Sequence, residues 1–180
     1  MSQRHDPVLD AARDCVLAVG VRRTTFSDVA RRAGVSRMTL YRRFGDLEAL
    51  LAALMTREFG ALVAAAAASG GEHARERAVA MVVEGARRLA ADPLFARLLD
   101  VDPELLLPYV TRRRGGMQRM AVAALAEALS ARDGSVREGD PAAMAAAVEL
   151  AARGFVLAVR ADEPPDWDEL GRMVDGYLKP

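Results

Sequence analysis

Three arginines and a tyrosine fall within seven consecutive residues of this chain: Arg37, Tyr41, Arg42 and Arg43. A guanidinium group donates paired hydrogen bonds to a phosphate or to the O6 and N7 atoms of guanine, and a tyrosine hydroxyl donates to phosphate oxygens. The surrounding window 20–45 holds seven arginines and a single acidic residue, Asp28. This concentration of charge favours an anionic partner such as nucleic acid, although a merely solvated arginine-rich face would show the same charge.

The spacing of three small or apolar residues predicts how these side chains are presented. Ala30, Gly34 and Leu40 follow one another at intervals of four and six residues. Ala30 allows a second helix to cross closely, Gly34 permits a left-handed turn, and Leu40 anchors the second helix inward. The pattern predicts a helix-turn-helix unit whose second helix enters a DNA major groove. An ordinary helical hairpin with a glycine turn is the alternative.

Helix-start and helix-stop signals divide the whole chain into helices. Serine, threonine and aspartate caps precede apolar residues at helical spacing, and Asp-Pro pairs recur at 6–7, 92–93, 102–103 and 140–141. No window alternates as a strand would. We predict an all-α fold of about nine helices, over residues 7–19, 27–33, 37–44, 47–68, 73–91, 93–99, 103–131, 141–160 and 167–178, with a possible break at 115–116.

Composition agrees with a helical protein. Of 180 residues, 36 are alanine, and the net charge of zero hides a gradient. Residues 1–50 hold nine arginines against six acidic residues, whereas residues 51–180 hold sixteen basic against nineteen acidic residues. No apolar run is expected to cross a bilayer, the first residues lack a signal-peptide core, and Cys15 has no disulfide partner. We expect a cytoplasmic protein that does not associate with membranes.

Residues that catalysis or metal binding would need are few. His5 and His73 share no ligand spacing with Cys15, which lies beside the apolar stripe of its helix. The glycine pairs at 70–71 and 115–116 lack the following lysine and hydroxyl residue of a phosphate-binding loop. We expect no metal, no cofactor and no enzymatic activity. A helical-bundle enzyme, or a helical protein-interaction adaptor that never binds DNA, is the alternative.

The segment around the glycine turn resembles the N-terminal domain of the TetR (tetracycline repressor) family of transcription regulators. The matching residues are Thr24-Thr25, Val29-Ala30, Ala33-Gly34-Val35-Ser36, Thr39-Leu40-Tyr41, Phe44 and Leu50-Leu51. The resemblance implies a DNA-binding domain over residues 1–46 and a dimerisation and ligand-binding domain over residues 47–180. It also implies a ligand-responsive repressor that binds a palindromic operator as a homodimer and responds to a small-molecule inducer.

The same resemblance assigns the contacts of the second helix of the motif to DNA. Arg37 would read a guanine and Met38 would meet a thymine methyl, while Arg42 would contact a base or a phosphate. Arg43 would contact a phosphate. The implied DNA-binding residues are Thr25, Ser27, Ser36, Arg37, Met38, Thr39, Tyr41, Arg42 and Arg43. The family commonly has a phosphate-binding lysine where this chain has Leu47, which we leave outside the site.

A dimer is required because two recognition helices must lie about 34–36 Å apart to reach successive major grooves. The helix over 141–160 is apolar nearly all round, with a stripe of small residues, and the last helix adds further apolar residues. The predicted interface comprises Ala143, Ala147, Leu150, Gly154, Leu157, Leu170, Met173, Val174 and Tyr177. The same residues would also serve as an ordinary domain core.

Inducer binding is expected among the helices of the middle of the chain, where methionines suit an adaptable cavity. The candidate lining residues are Phe59, Leu62, Met81, Phe95, Leu98, Leu99, Met117 and Met120. Each of them would equally fit an ordinary core, and the run Arg112-Arg113-Arg114 is interpreted as a solvated basic cluster. By likeness to the family, the helix over 93–99 is a candidate lever that pushes the helix after Asp46.

Overall fold

The computed structural model describes residues 6–112, 114–131 and 133–180, so His5 and Arg113 lie outside the described residues. Over these ranges the chain is helical, with no strand, which confirms the predicted all-α class. The α-helices are α1 (Pro7–Val19), α2 (Phe26–Ala33), α3 (Arg37–Phe44), α4 (Leu47–Ala67), α5 (Ala74–Ala91), α6 (Pro93–Val101), α7 (Leu107–Thr111), α8 (Gly116–Leu129), α9 (Pro141–Leu157) and α10 (Trp167–Leu178). Short 3-10 helices, Pro103–Leu106 and Ala158–Arg160, precede α7 and follow α9.

The caps of the first three helices are those that the sequence predicts. Asp6 accepts from the backbone N–H of Val8 at 3.1 Å, Thr25 from Asp28 at 3.2 Å, and Ser36 from the N–H of Thr39 at 3.1 Å. Each bond satisfies a backbone donor that a helix start leaves unpaired. Gly34 ends α2 with φ of +68°, in the left-handed region that glycine enters without strain.

The single helix predicted over 103–131 is wrong. The chain instead forms a 3-10 turn, the five-residue α7, and then α8 from Gly116 onward. Gly115 has an extended backbone with ψ of 176°, so the chain is not helical directly before α8, beside the break that the glycine pair at 115–116 predicts. Pro108 is the second residue of α7, in the first turn, where a helix tolerates a residue without an N–H, so it suits the start of this segment.

The described residues fall into two compact units, which we describe separately. The first comprises residues 6–58 and 93–112, and the second comprises the described residues of 59–92 and 114–180. The first unit is larger than the segment 1–46 that the sequence suggested. It extends because Leu50 and Leu54 of α4 and Leu94 of α6 are fully buried in the core that α1, α2 and α3 form.

Three fully buried side chains pin the first three helices together. Val16 of α1, Val29 of α2 and Leu40 of α3 all have 0% exposure. Burying an aliphatic side chain of this size contributes about 1.5–3 kcal/mol. The inward position of Leu40 therefore fixes the rotation of α3 about its own axis.

The connection between α1 and α2 is held by a carboxylate from a distant part of the first unit. Asp102, only 3% exposed, accepts a hydrogen bond from the backbone N–H of Val21 through Oδ2 at 2.7 Å. Gly20 has φ of +88°, and a Cβ added there would lie 2.7 Å from the same oxygen. Any larger residue at Gly20 would thus strain the backbone and displace the acceptor.

Two further polar contacts join the segment 97–104 to the same connection. Arg97 donates to the carbonyl oxygen of Ala18 at 3.0 Å, at the end of α1, where carbonyls lack helical partners and attract cations. Arg22 forms an ion pair with Glu104. Together with Asp102, these contacts bind α6 and the turn after it to the region between α1 and α2.

The second unit is built on α5, α8, α9 and α10, which pack against one another. Leu170 and Val174 of α10 have exposures of 0% and 1%. Their assignment to the dimer interface is therefore wrong, because the core of their own unit already covers them. Gly171 of α10 faces α5, and a Cβ added there would lie 3.5 Å from Val83, an ordinary van der Waals distance.

A loop between α8 and α9 caps the start of α5. Asp133 accepts from the N–H of Ala74 at 2.7 Å, and the hydroxyl of Ser135 accepts from the N–H of Arg75 at 3.2 Å. The hydrogen bond from Ser135 and that from Ala74 hold the pKa of Asp133 well below its usual value. His73, at the cap position itself, donates its backbone N–H to Glu76.

Two stretches are long and apolar enough to cross a membrane by length and composition alone. They are Leu47–Ala67 and Pro141–Arg160, with mean hydropathy of 1.5 and 1.7. The expectation that no run reaches this length is wrong, because consecutive alanines count as apolar. In each stretch, 22% of the most apolar 18-residue segment is buried. Core helices of soluble proteins can be equally long and apolar. Within its own unit, α9 thus leaves apolar surface uncovered.

We expect the Asp102→Ala variant to lose about 1–3 kcal/mol of unfolding free energy, because the buried N–H of Val21 would lose its acceptor. Urea denaturation followed by circular dichroism measures this loss. The matched control is Asp102→Asn, whose amide oxygen can still accept, so most of the stability should remain. An Asp102→Ala variant as stable as the parent would show that the hydrogen bond contributes nothing.

Candidate nucleic-acid interface

The outer face of α3 follows directly from the burial of Leu40. At about 100° of rotation per residue, Met38 and Arg42 lie opposite Leu40, whereas Tyr41 and Arg37 lie about 100° and about 60° from it, and all four are exposed. Met38 and Tyr41 occupy the middle of this face, with Arg37 and Arg42 at its two edges. We call these four residues the outer face of α3.

Arg37 lies at the first turn of α3 and reaches the start of α2. Its Nη1 atom donates to the hydroxyl of Ser27 at 3.2 Å. Ser27, one residue into α2, is exposed, as are Thr25 and Ser36 at the two helix starts. The hydroxyl of Ser27, one of those predicted to contact DNA, thus lies beside Arg37, and a base or phosphate could replace this contact at small cost.

Two of the predicted residues are held by local contacts. Tyr41 packs its ring against Phe26 of α2 in an edge-to-face arrangement, with ring centres 4.8 Å apart, and stays 51% exposed. The hydroxyl of Thr39 lies 2.9 Å from that of Ser36, and Thr39 is half-buried. Packing therefore fixes the ring of Tyr41 in place on the outer face of α3.

Arg43 is engaged differently from what the sequence suggested. Both of its terminal nitrogens bond to the carboxylate of Asp6, one of them at 3.0 Å, and its guanidinium lies 4.7 Å from the ring centre of Phe44. The hydrogen bond from Arg43 holds the pKa of Asp6 below its usual value. A phosphate would have to displace this paired contact, and the assignment of Arg43 to phosphate binding stays a prediction. Arg42 is exposed and has no polar partner among the described residues.

Internal ion pairs reduce the apparent charge of the motif. Four of the seven arginines in the window 20–45 are paired with carboxylates: Arg22 with Glu104, Arg31 with Asp28, Arg32 with Asp14, and Arg43 with Asp6. Within the described ranges, Arg23, Arg37 and Arg42 have no carboxylate partner. Two of these three lie on the outer face of α3, which concentrates uncompensated positive charge there.

Leu47 and Cys15 behave as apolar residues. Leu47 packs against the core of the first unit, in keeping with its exclusion from the interface. Cys15 is buried, and burial raises the pKa of its thiol, which suits a packing role. No cluster of metal-ligating side chains occurs among the described residues.

The predicted inducer-pocket residues are divided between the two units. Phe95, Leu98 and Leu99 belong to the first unit, and Phe59, Leu62, Met81, Met117 and Met120 to the second. An open surface depression of about 430 Å³ in the first unit is lined by Cys15 and Arg23 among others, and one of about 450 Å³ in the second unit is lined by Ala65 and Arg87 among others. None of the eight residues lines either depression, so the inducer site stays a prediction.

The stripe on α9 is exposed in the protomer. Ala143, Ala147, Leu150 and Gly154 all face outward, and Leu150 is 60% exposed. On α10, Met173 and Tyr177 are 42% and 38% exposed, and Leu157 of α9 is half-buried. These exposed residues, unlike Leu170 and Val174, are available to a second chain.

Sequence reasoning missed the role of Asp102. The Asp102-Pro103 pair was interpreted only as a helix-start signal, yet the side chain makes no cap bond to its own helix and instead holds Val21. No local pattern could have identified this partner, because the two residues are 81 positions apart. The surrounding segment, Leu98 to Leu107, holds three acidic residues, Asp100, Asp102 and Glu104, and its sequence does not show which of them is buried.

Comparison with known proteins agrees with this geometry. A family model described as "Bacterial regulatory proteins, tetR family" matches residues 8–54, which hold all nine predicted DNA-binding residues. An uncharacterised HTH-type transcriptional regulator of Mycobacterium bovis, Mb2274c, is 35% identical over 178 residues, which cover 95% of this chain and 92% of that protein.

Solved structures share the architecture. The TetR-family transcriptional repressor QsdR of R. erythropolis superposes with a TM-score of 0.73 and 18% identity, over 95% of this chain and 92% of that one. The TetR-family repressor AlkX of Dietzia sp. strain DQ12-45-1b superposes with a TM-score of 0.67 and 23% identity, over 98% of this chain and 94% of that one. At these sequence identities the solved structures support the fold alone, whereas the family model and the mycobacterial relative support membership of the family. The chain belongs to the TetR family of bacterial transcriptional regulators.

Proposed function

We propose that this regulator is a ligand-responsive repressor that binds a palindromic operator as a homodimer. The observation that carries the proposal is the outer face of α3, where Arg37 and Arg42 lack carboxylate partners within the described residues. Placed in a major groove, such a helix meets base edges with its N-terminal residues, and Arg37 is the first residue of α3, while residues further along, such as Arg42, can meet phosphates. Repression is the activity that the titles of QsdR and AlkX state for those proteins.

Dimerisation would be supplied by the exposed stripe of α9. Ala143, Ala147 and Gly154 are small enough for close helix approach, and Leu150 at 60% exposure offers a large apolar contact. Covering such a surface with a second copy would recover the free energy of burying it. Arg153 donates from Nη2 to Oε2 of Glu149 at 2.5 Å, and this ion pair beside the stripe would lie at the rim of the dimer interface.

The inducer would act by shifting a population of dimers. A ligand that binds better to dimers whose DNA-binding helices are wrongly spaced weakens DNA binding by its differential affinity, typically about 1–3 kcal/mol. We propose that α6 acts on the connection between α1 and α2. Arg97 of α6 bonds to the end of α1, and Asp102, directly after α6, bonds to Val21 in that connection. This replaces the expectation that α6 pushes α4.

The central test is a mobility-shift assay with duplex DNA from upstream of the chain's own gene, over a series of salt concentrations. The parent should bind one fragment specifically, with affinity that falls steeply as salt rises. In parallel, sedimentation should show a dimer for the parent protein and a monomer for Leu150→Glu. In the mobility-shift assay, Leu150→Glu should show no specific binding. The matched control Ala123→Glu, at an exposed position of α8, should stay dimeric. Absence of any shift at low ionic strength would rule the proposal out.

Arg37→Ala should weaken binding to the operator by about 1–3 kcal/mol, the usual contribution of a base contact, with little effect on random DNA. Fluorescence anisotropy with both duplexes measures the two affinities. Within the residues that the structure describes, the removed guanidinium bonds only to the hydroxyl of Ser27, so folding should be unaffected. Equal losses on both duplexes would mean that Arg37 contacts phosphate and reads no base.

Arg42→Ala should reduce the slope of log affinity against log salt by about one unit, as expected when one phosphate contact is lost. Arg43→Ala is the matched neighbour and should leave the slope unchanged, because Asp6 already neutralises its charge. Salt titrations of the two variants on the same duplex make the comparison. A smaller slope for Arg43→Ala alone would restore Arg43 as the phosphate ligand.

A further inference from the structure

The start of α1 and the end of α3 meet at one carboxylate. Asp6, the residue before α1, has 15% of its side chain exposed. Its Oδ1 accepts from the backbone N–H of Val8 at 3.1 Å and from Nη1 of Arg43 at 3.0 Å, and its Oδ2 accepts from Nη2 of Arg43. Oδ1 is therefore shared between the helix cap and Arg43, whereas Oδ2 serves the ion pair.

Arg43 is nevertheless close to the outer face of α3. It follows Arg42 directly, in the last turn of the helix, and 48% of its side chain is exposed. The two nitrogens that bond to Asp6 form the fork with which a guanidinium would bind a phosphate. The ring of Phe44, whose centre lies 4.7 Å from the guanidinium, adds a second contact within the protein. The Asp6 carboxylate and a DNA phosphate therefore compete for one cation.

The position of Asp6 favours the carboxylate in this competition. The side chain is largely shielded from water, so its attraction to Arg43 is screened less than that of a fully exposed pair. The fold already holds both groups together, and the cap bond to Val8 fixes the orientation of the carboxylate. A phosphate that captured Arg43 would also leave the Asp6 charge uncompensated beside the negative charge of the DNA. We expect the pair to persist when the protein is bound to DNA.

We propose that Asp6 sets the DNA affinity of this regulator by holding Arg43 out of phosphate contact. The inference rests on the proposed function, since it assumes that the outer face of α3 enters the major groove. Phosphate contacts strengthen binding to every sequence alike, so Asp6 lowers the affinity without changing the sequence preference. An inducer that weakens DNA binding about 5- to 150-fold releases a more weakly held operator more completely.

Asp6→Asn separates the two roles of this side chain. The amide oxygen can still cap α1, since asparagine caps as well as aspartate does, but the charge that holds Arg43 is removed. Salt titrations by fluorescence anisotropy, with the operator and with a random duplex, measure the effect. The slope of log affinity against log salt should steepen by about one unit, so a fourfold rise in salt should weaken the variant about 3.5-fold more than the parent. At low salt, the gain in affinity should be equal on both duplexes.

Three further variants assign the gain to Arg43. The double variant Asp6→Asn/Arg43→Ala should return to the slope of the parent, because the released guanidinium is then absent. Asp14→Asn is the matched control, since it removes the same charge from the ion pair with Arg32 near the end of α2, and it should leave the slope unchanged. Asp6→Ser also keeps a capping oxygen without a charge and should repeat the gain. Thermal denaturation will verify that each variant folds.

Two results would overturn the inference. Either the slope is the same in folded Asp6→Asn as in the parent, or the gain persists in the double variant, which would assign it to the lost carboxylate charge and not to Arg43. Failure of the parent itself to bind any duplex is distinguishable from both. It would refute operator binding and remove the proposed function together with the role of Asp6.

Discussion

Burial of Leu40 is the constraint on which the DNA-binding surface depends. This side chain has no exposed area and lies in a core with Val16 and Val29, so α3 has only one rotational setting that keeps the core closed. That setting places Met38 and Tyr41 outward, with a cation at each edge. The surface chemistry of the regulator is thus a consequence of apolar packing on the reverse side of the same eight-residue helix. A short helix needs such an anchor, because it has little stability of its own in water.

A second layer of organisation joins α6 to the helix-turn-helix unit. Asp102, Arg97 and Glu104 each make a polar contact with the stretch from Ala18 to Arg22. Because Asp102 is buried and Gly20 leaves room for its carboxylate, this contact tolerates little displacement. The α1–α2 connection is therefore positioned by residues that lie far away in the chain. In a family whose members respond to ligands through their C-terminal helices, such a contact gives α6 a direct mechanical connection to the DNA-binding helices.

Charge at the interface is set by internal pairing as much as by composition. The window around the motif is rich in arginine, yet Asp6, Asp14, Asp28 and Glu104 neutralise four of these side chains. Exposed ion pairs contribute little to stability, and their main effect here is that only Arg23, Arg37 and Arg42 of this window lack a carboxylate partner in the described part of the chain. The bidentate contact of Arg43 with Asp6 also links the end of α3 to the start of α1, so one arginine serves the fold while its neighbour stays available.

The amino-acid sequence by itself determined the helical class, the caps at Asp6, Thr25 and Ser36, the glycine turn and the inward role of Leu40. These features depend on residues within a few positions of one another, where backbone geometry and helical periodicity act directly. Only the tertiary structure decided that Leu170 and Val174 are core, that Arg43 is bound by Asp6, and that Asp102 holds Val21. Arg43 lies 37 positions from Asp6 in the chain, and Asp102 lies 81 positions from Val21. Such contacts exist only once packing has brought distant segments together.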